Sequence, residues 1–128
     1  MVDPIARRRA EQAHLIGLAR DYVASISDRM PVLAAAVVGS VARGDFNVWS
    51  DIDVVVVAEQ LPASILERQA LLLSGAPPRV QPVGFEAAEF RAALAKGNRL
   101  AREVFETGLP LAGDRFFRDC AAALTASG

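Results

Sequence analysis

Val38-Gly-Ser-Val-Ala-Arg-Gly-Asp-Phe-Asn-Val-Trp-Ser-Asp-Ile-Asp-Val-Val-Val-Val57 is the stretch whose reading decides the fold. It ends in a strand. Val54 to Val57 are consecutive β-branched residues, stiff at χ1, and suit a strand buried on both faces. It begins at the end of another strand: Leu33 to Val38 is a short apolar run bounded by Pro31 and by Gly39-Ser40. Those breakers favour a buried strand, although three alanines alone favour a helix. Residues 40–44 read as a short helix or turn ending at Gly44. Gly39 lets the backbone turn tightly, the N–H groups of the turn face outward and favour an anion, and the Ser40 hydroxyl adds a donor. Asp51 and Asp53 are expected to open the second strand, where residues i and i+2 share a face, so that both carboxylates project together. Paired carboxylates beside an anion-binding turn suit a hard divalent cation whose other ligands are phosphate oxygens. Taken singly, an Asp-x-Asp pair often caps a turn and a Gly-Ser means little. Together they point to a ligand, because two adjacent carboxylates repel unless a cation or donor compensates.

Outward from this stretch the layout is α/β. Residues 5–27 read as a helix with an apolar stripe of Leu15, Leu18 and Tyr22 beside Ile16, Ala19, Val23 and Ile26. Pro62 is expected to open a helix to Ser74, supported by Ile65/Leu72 and Leu66/Leu73 one heptad apart. Arg79 to Phe85 reads as a third strand, and its Pro82 predicts an edge position. Helices are expected over 86–96, 98–107 and 114–126, with Gly97-Asn98 and Gly108-Leu109-Pro110 as separators and Asp114 as an N-cap. The fold class is therefore α/β (α+β), a small mixed β-sheet with covering helices, and residues 1–128 are expected to form one domain.

Composition narrows the function. Hydrophobic residues make up 52% and charged residues 23%, an ordinary globular balance. A mean hydropathy of +0.26 is high for so short a chain and fits either a partner-binding face or simple Ala/Val richness. The net charge of −1 provides no basic field for general nucleic-acid binding. Arg7-Arg8-Arg9 reads as a solvated helix face, with a phosphate or nucleic-acid contact as the alternative. One cysteine, Cys120, reads as core and cannot form an internal disulfide, which points to a reducing cytoplasm. His14 and that cysteine cannot build a zinc site. Neither a signal peptide nor a membrane span is legible.

Residues 39–53 resemble the nucleotidyltransferase superfamily that includes DNA polymerase β, and within it the minimal nucleotidyltransferases. Gly39-Ser40, ten intervening residues and Asp51-x-Asp53 match that family's signature, with Ala42-Arg43-Gly44 and Ser50 also similar. Phe90, Gly97-Asn98 and Glu106 to Leu111 weakly resemble the C-terminal half of prokaryotic members. The resemblance implies the nucleotidyltransferase fold, with Asp51 and Asp53 catalytic and binding Mg2+, and Gly39 and Ser40 holding the terminal phosphates of a nucleoside triphosphate, expected to be ATP. Arg43 and Ser50 are further candidates for nucleotide binding, Arg43 being equally readable as a surface salt bridge. The implied reaction moves a nucleoside monophosphate to a hydroxyl and releases pyrophosphate.

The resemblance also implies a third carboxylate on the strand at 79–85. Gln81 stands at the closest position, and an amide offers neither charge nor proton acceptance; Glu86 is nearby but expected past the strand end. So small a chain is expected to take its acceptor site from a partner or from a second copy, as a homo-oligomer. Similarity to prokaryotic minimal members implies an antitoxin paired with a HEPN-type ribonuclease toxin, which some of them AMPylate. Two rivals stay open: a non-catalytic binding module acting by contact, and an antibiotic-modifying nucleotidyltransferase.

Overall fold

The computed structural model describes residues 3–127, so Met1, Val2 and Gly128 of the expected 1–128 domain lie outside the described residues. Helix α1 (Pro4–Ser27) leads into β1 (Val32–Val38), a short helix α2 (Gly39–Arg43) and β2 (Ile52–Ala58). Then come α3 (Ile65–Leu73), β3 (Val80–Glu86), α4 (Ala87–Ala95), α5 (Arg99–Glu106), β4 (Leu109–Ala112) and α6 (Asp114–Ser127). The four strands form one mixed sheet in the order β3-β2-β1-β4. Strand β1 runs antiparallel to β2 and β4, while β2 and β3 are parallel. The result is a mixed sheet covered by helices on both faces, the architecture expected from the sequence.

Strand alternation divides the core in two. Ile52, Val54 and Val56 pack with Ala35 and Val37 against α1, α2 and α3, through Leu15, Tyr22, Ile26, Val41 and Leu72. Val55 and Val57 pack with Ala34, Ala36 and Val38 against α4, α5 and α6, through Phe90, Ala101, Val104, Phe117 and Cys120. Phe90 is the hub of the second layer, with ring centroids of Phe85, Phe116 and Phe117 at 5.7, 6.0 and 5.8 Å. Ala34 to Ala36 are fully buried in the strand between β2 and β4. There a bare methyl lets layers on both faces approach, and tertiary packing overrides alanine's helical preference.

The α1 stripe and the buried valines are as expected, and Cys120 is core. Pro82 does lie on an edge strand. The carbonyls of Pro82 and Gly84 accept from Gln69 Nε2 at 3.1 Å and Arg68 at 3.3 Å, so α3 side chains cover the outer edge of β3. Three expectations need correction. Helix α3 begins at Ile65, not Pro62, because the Ser64 hydroxyl accepts from Glu67 N–H and sets the cap. Of its heptad pairs Leu72 is buried, whereas Ile65 and Leu66 face solvent. Residues 109–112, expected only to separate two helices, form β4, because β1 has an edge whose backbone groups need partners.

Arg8 departs from the solvated-face reading in a useful way. Its guanidinium donates to the carbonyls of Gly44, at 3.0 Å, and Phe46, and lies 4.4 Å from the centre of the buried Phe46 ring. Gln12 donates to the Val41 carbonyl at 2.8 Å. Helix α1 thus braces α2 and the segment after it. At its other end α1 holds α3: the Tyr22 hydroxyl donates to the Leu72 carbonyl at 2.6 Å, one of the last carbonyls of that helix.

Burial pushes the Tyr22 phenol up to about 12, with Arg29 pulling weakly the other way. Tyr22→Phe should cost about 1–3 kcal/mol in urea unfolding, since it leaves the Leu72 carbonyl unpaired. Because the folded-state pKa is raised, the native state holds a proton that the unfolded chain gives up. Wild-type stability should therefore fall as pH climbs from about 10 towards 12, relative to Tyr22→Phe. A parallel decline in both proteins would sink this assignment.

Candidate active site

The sheet register assembles the site. Val38 pairs with Asp53 across β1 and β2, so the Gly39-Ser40 turn at the end of β1 meets the start of β2. Gly39 has a φ of +74°, a left-handed conformation that suits glycine, and an added Cβ would lie 2.5 Å from Asp53 Oδ2. The Asp53 carboxylate therefore rests against the bare backbone of the turn. Gly44, with a φ of +88°, ends α2 and returns its N–H to the Ser40 carbonyl.

Asp51 is exposed and sits just before β2, not within it, while Asp53 is half-buried in the strand. Alternation puts Asp53 with Val55 and Val57 on the face covered by α5. Burial raises the Asp53 pKa above the ordinary carboxylate range; the charges of Asp51 and Glu103 raise it further, and Arg43 and Arg99 oppose them. Gln81 is the register partner of Asp53 on β3, so an amide occupies the place beside it. Glu86 does not substitute. It is the last residue of β3 rather than beyond the strand, about 16 Å along from Gln81 at about 3.3 Å per residue. Its carboxylate accepts from Leu61 N–H at 3.0 Å and caps α4.

Ser50 immediately precedes Asp51 and is held in the turn between α2 and β2. Its hydroxyl accepts from Asn47 N–H at 2.9 Å, and its carbonyl accepts from Arg79 at 2.7 and 3.2 Å. Trp49 N–H donates to Asn47 Oδ1 at 2.8 Å, so the backbone is fixed while the Trp49 side chain stands 88% exposed. Arg43 contacts Asp45 at 3.2 Å and Glu103 at 3.7 Å, so a salt bridge, one of its two readings, is present. Glu103 escaped the sequence reading. It comes from α5, its side chain is 15% exposed, and Arg99 meets the same oxygen at 3.3 Å. A signal existed: Leu100, Glu103 and Val104 share a helical stripe, and a carboxylate on a packing stripe needs partners.

Hard oxygen donors at Asp51 and Asp53, with a like-charge burden on Asp53, suit a magnesium ion that shares phosphate ligands. Among the described residues no three His, Cys, Asp or Glu side chains gather as a metal-holding group.

The chain belongs to the nucleotidyltransferase domain family, whose model matches residues 19–99 and so includes the whole Gly39-to-Asp53 segment. In fold it is similar to a "putative nucleotidyltransferase from Sulfolobus solfataricus", with a TM-score of 0.58 and 21% identity over 64% of this chain and 76% of that one. It is equally similar to a chain from a structure described as a "toxin-antitoxin with AMP-PNP", with a TM-score of 0.58 and 21% identity over 84% and 87% of the two chains. Comparison with curated proteins gives no match.

Two outcomes are expected here. Gly39→Ala should displace the Asp53 carboxylate and force a side chain into a left-handed backbone, at a cost of about 1–3 kcal/mol in thermal or urea unfolding. Asp53→Asn should raise the melting temperature at neutral pH. A raised carboxylate pKa is a burden carried by the ionised folded state, and it lifts as pH falls through that pKa. The advantage of the variant should shrink in acid; one that stays constant with pH would contradict this origin.

Proposed function

We propose that residues 1–128 act as one nucleotidyltransferase domain that binds magnesium with ATP and transfers AMP to a hydroxyl of a protein partner. We infer that the partner is a HEPN-type toxin, with this chain as its antitoxin in the cytoplasm. The observation that carries the reading is the Asp53 carboxylate seated against Gly39 at the Gly-Ser turn, inside a segment matched by the nucleotidyltransferase family model. The likeness to a chain of a toxin–antitoxin structure with AMP-PNP supports the choice of nucleotide and partner.

In this reading Gly39 and Ser40 hold the terminal phosphates through backbone N–H groups and the Ser40 hydroxyl. Arg43 and Ser50 line the approach, and Asp51 and Asp53 hold the metal. Magnesium, when bound with the nucleotide, neutralises charge on the phosphates and the leaving pyrophosphate. The partner's hydroxyl oxygen attacks the α-phosphorus, the bond to the bridging oxygen breaks, and pyrophosphate leaves. The hydroxyl proton passes to water, because the Gln81 amide beside Asp53 cannot take it. Transfer should therefore be slow and should depend on the partner to align its hydroxyl. The same glutamine favours one rival, an antitoxin that binds nucleotide and neutralises its partner by contact alone.

The test is transfer of label from α-labelled ATP to a helical protein encoded beside this chain. Wild type should label it, Asp51→Asn and Asp53→Asn should reduce labelling by at least a hundredfold, and Gln81→Asp should increase it. If the partner is neutralised without label, and equally well by both Asp variants, the contact-only reading replaces the enzymatic one.

A further inference from the structure

We propose that Arg99, at the start of α5, is a second arginine that grips the triphosphate, adding to the Gly39-Ser40 turn and Arg43. The inference rests on reading the site as a nucleotide site. Arg99 and Asp53 line one cleft of about 280 Å3, with Val38, Val55 and Val83 in its lining and Leu100 beside Arg99. Val38 immediately precedes Gly39, so the cleft reaches from the end of β1, one residue before the Gly-Ser turn, past Asp53 to the N-terminal end of α5. Its charged lining consists of one carboxylate and one guanidinium, set in apolar walls.

The two arginines at Glu103 are not equivalent. Arg43 is 37% exposed and bridges two carboxylates, Asp45 and Glu103, which fix it between α2 and α5. Arg99 is 85% exposed and bridges Glu103 through Nε at 3.3 Å. A helical pair four residues apart is weak when its arginine stands in solvent, as the 85% exposed Arg99 does beside the 15% exposed Glu103. A triphosphate carries more charge than a carboxylate and presents oxygens in pairs, which the planar guanidinium fork can accept on two bonds. Glu103 thus parks Arg99 at the cleft mouth, and an entering triphosphate is the better partner. The chemistry also answers a need of the site: a nucleotide brought beside Asp51 and Asp53 requires cations beyond a metal held by that pair.

Calorimetric titration of the full chain with Mg-ATP, and separately with magnesium tripolyphosphate, tests the proposal. Arg99→Ala should weaken both ligands by about tenfold or more, the scale of a charge-assisted contact. Arg102 is the internal control. It pairs with Glu106 at 3.2 Å in the same four-residue spacing on the same helix, but it does not line the cleft. Arg102→Ala should stay within about twofold of wild type for both ligands. Circular dichroism should be unchanged in both variants, as expected for exposed side chains. If wild type binds Mg-ATP and Arg99→Ala binds it equally well, the proposal falls and the nucleotide site stands. If Arg99→Ala loses ATP but holds tripolyphosphate like wild type, Arg99 does not grip phosphate. Equal losses in Arg102→Ala would reduce the effect to general charge and overturn the proposal as well. Absence of any wild-type binding removes both the site reading and this inference.

Discussion

The antiparallel register that places Val38 opposite Asp53 governs this end of the molecule. It decides which side chains of β2 enter which layer: Val54 and Val56 go to the α1 side, and Asp53, Val55 and Val57 go to the α5 side. A slip of one residue would drive the Asp53 carboxylate into the apolar layer under α1 and bring valines to the cleft. Ile52 and Val54, which flank Asp53 and pack on the opposite face, therefore hold the site as much as the residues that line it. The register also makes Gly39 a glycine twice over, through its left-handed backbone and through the carboxylate pressed against it.

Much of this was legible in sequence because the signals are local. Four β-branched residues announce a buried strand whatever surrounds them, and the α1 stripe carries its own periodicity. Gly39, Ser40 and the two aspartates form a motif within fifteen residues, 39–53, so their meeting needs only one strand pair. Strand β4 was not legible. Leu109-Pro110-Leu111 has neither the length nor the alternation of a strand and becomes one only because β1 offers it an edge. Glu103 and Arg99 were missed for a related reason: they reach Arg43 and Asp53 only through the way α5 crosses the sheet, some fifty residues further along the chain. Helix α3 failed differently. Its heptad pairs are real in spacing, but in the Ile65/Leu72 pair, which shares a face, Leu72 at the far end of the helix packs while Ile65 at its start is left in solvent with Leu66.

The segment between α2 and β2 shows how rigidity is obtained without secondary structure. Phe46 is buried and clasped by Arg8 from α1, and the Ser50 carbonyl is held by Arg79 from the approach to β3. Asn47 closes the turn between them with its side chain and its backbone. Anchoring both ends from different elements ties Asp51 to the core although it lies outside the strand. Arginines that look like a solvated cluster in sequence thus include one that sets the geometry of a site far along the chain.

The covered edge of β3 has a consequence for how sheets of this kind can join. Pro82 offers no N–H to the outside, and the carbonyls on either side of Val83 are already bonded to Gln69 and Arg68. A neighbouring strand arriving there finds no row of open donors and acceptors, so the sheet cannot be lengthened past β3 by backbone pairing. Contact on that flank must be made through side chains, with α3 as the surface presented. Among the described residues the other end of the sheet is β4, so any lengthening by backbone pairing would have to begin from that strand.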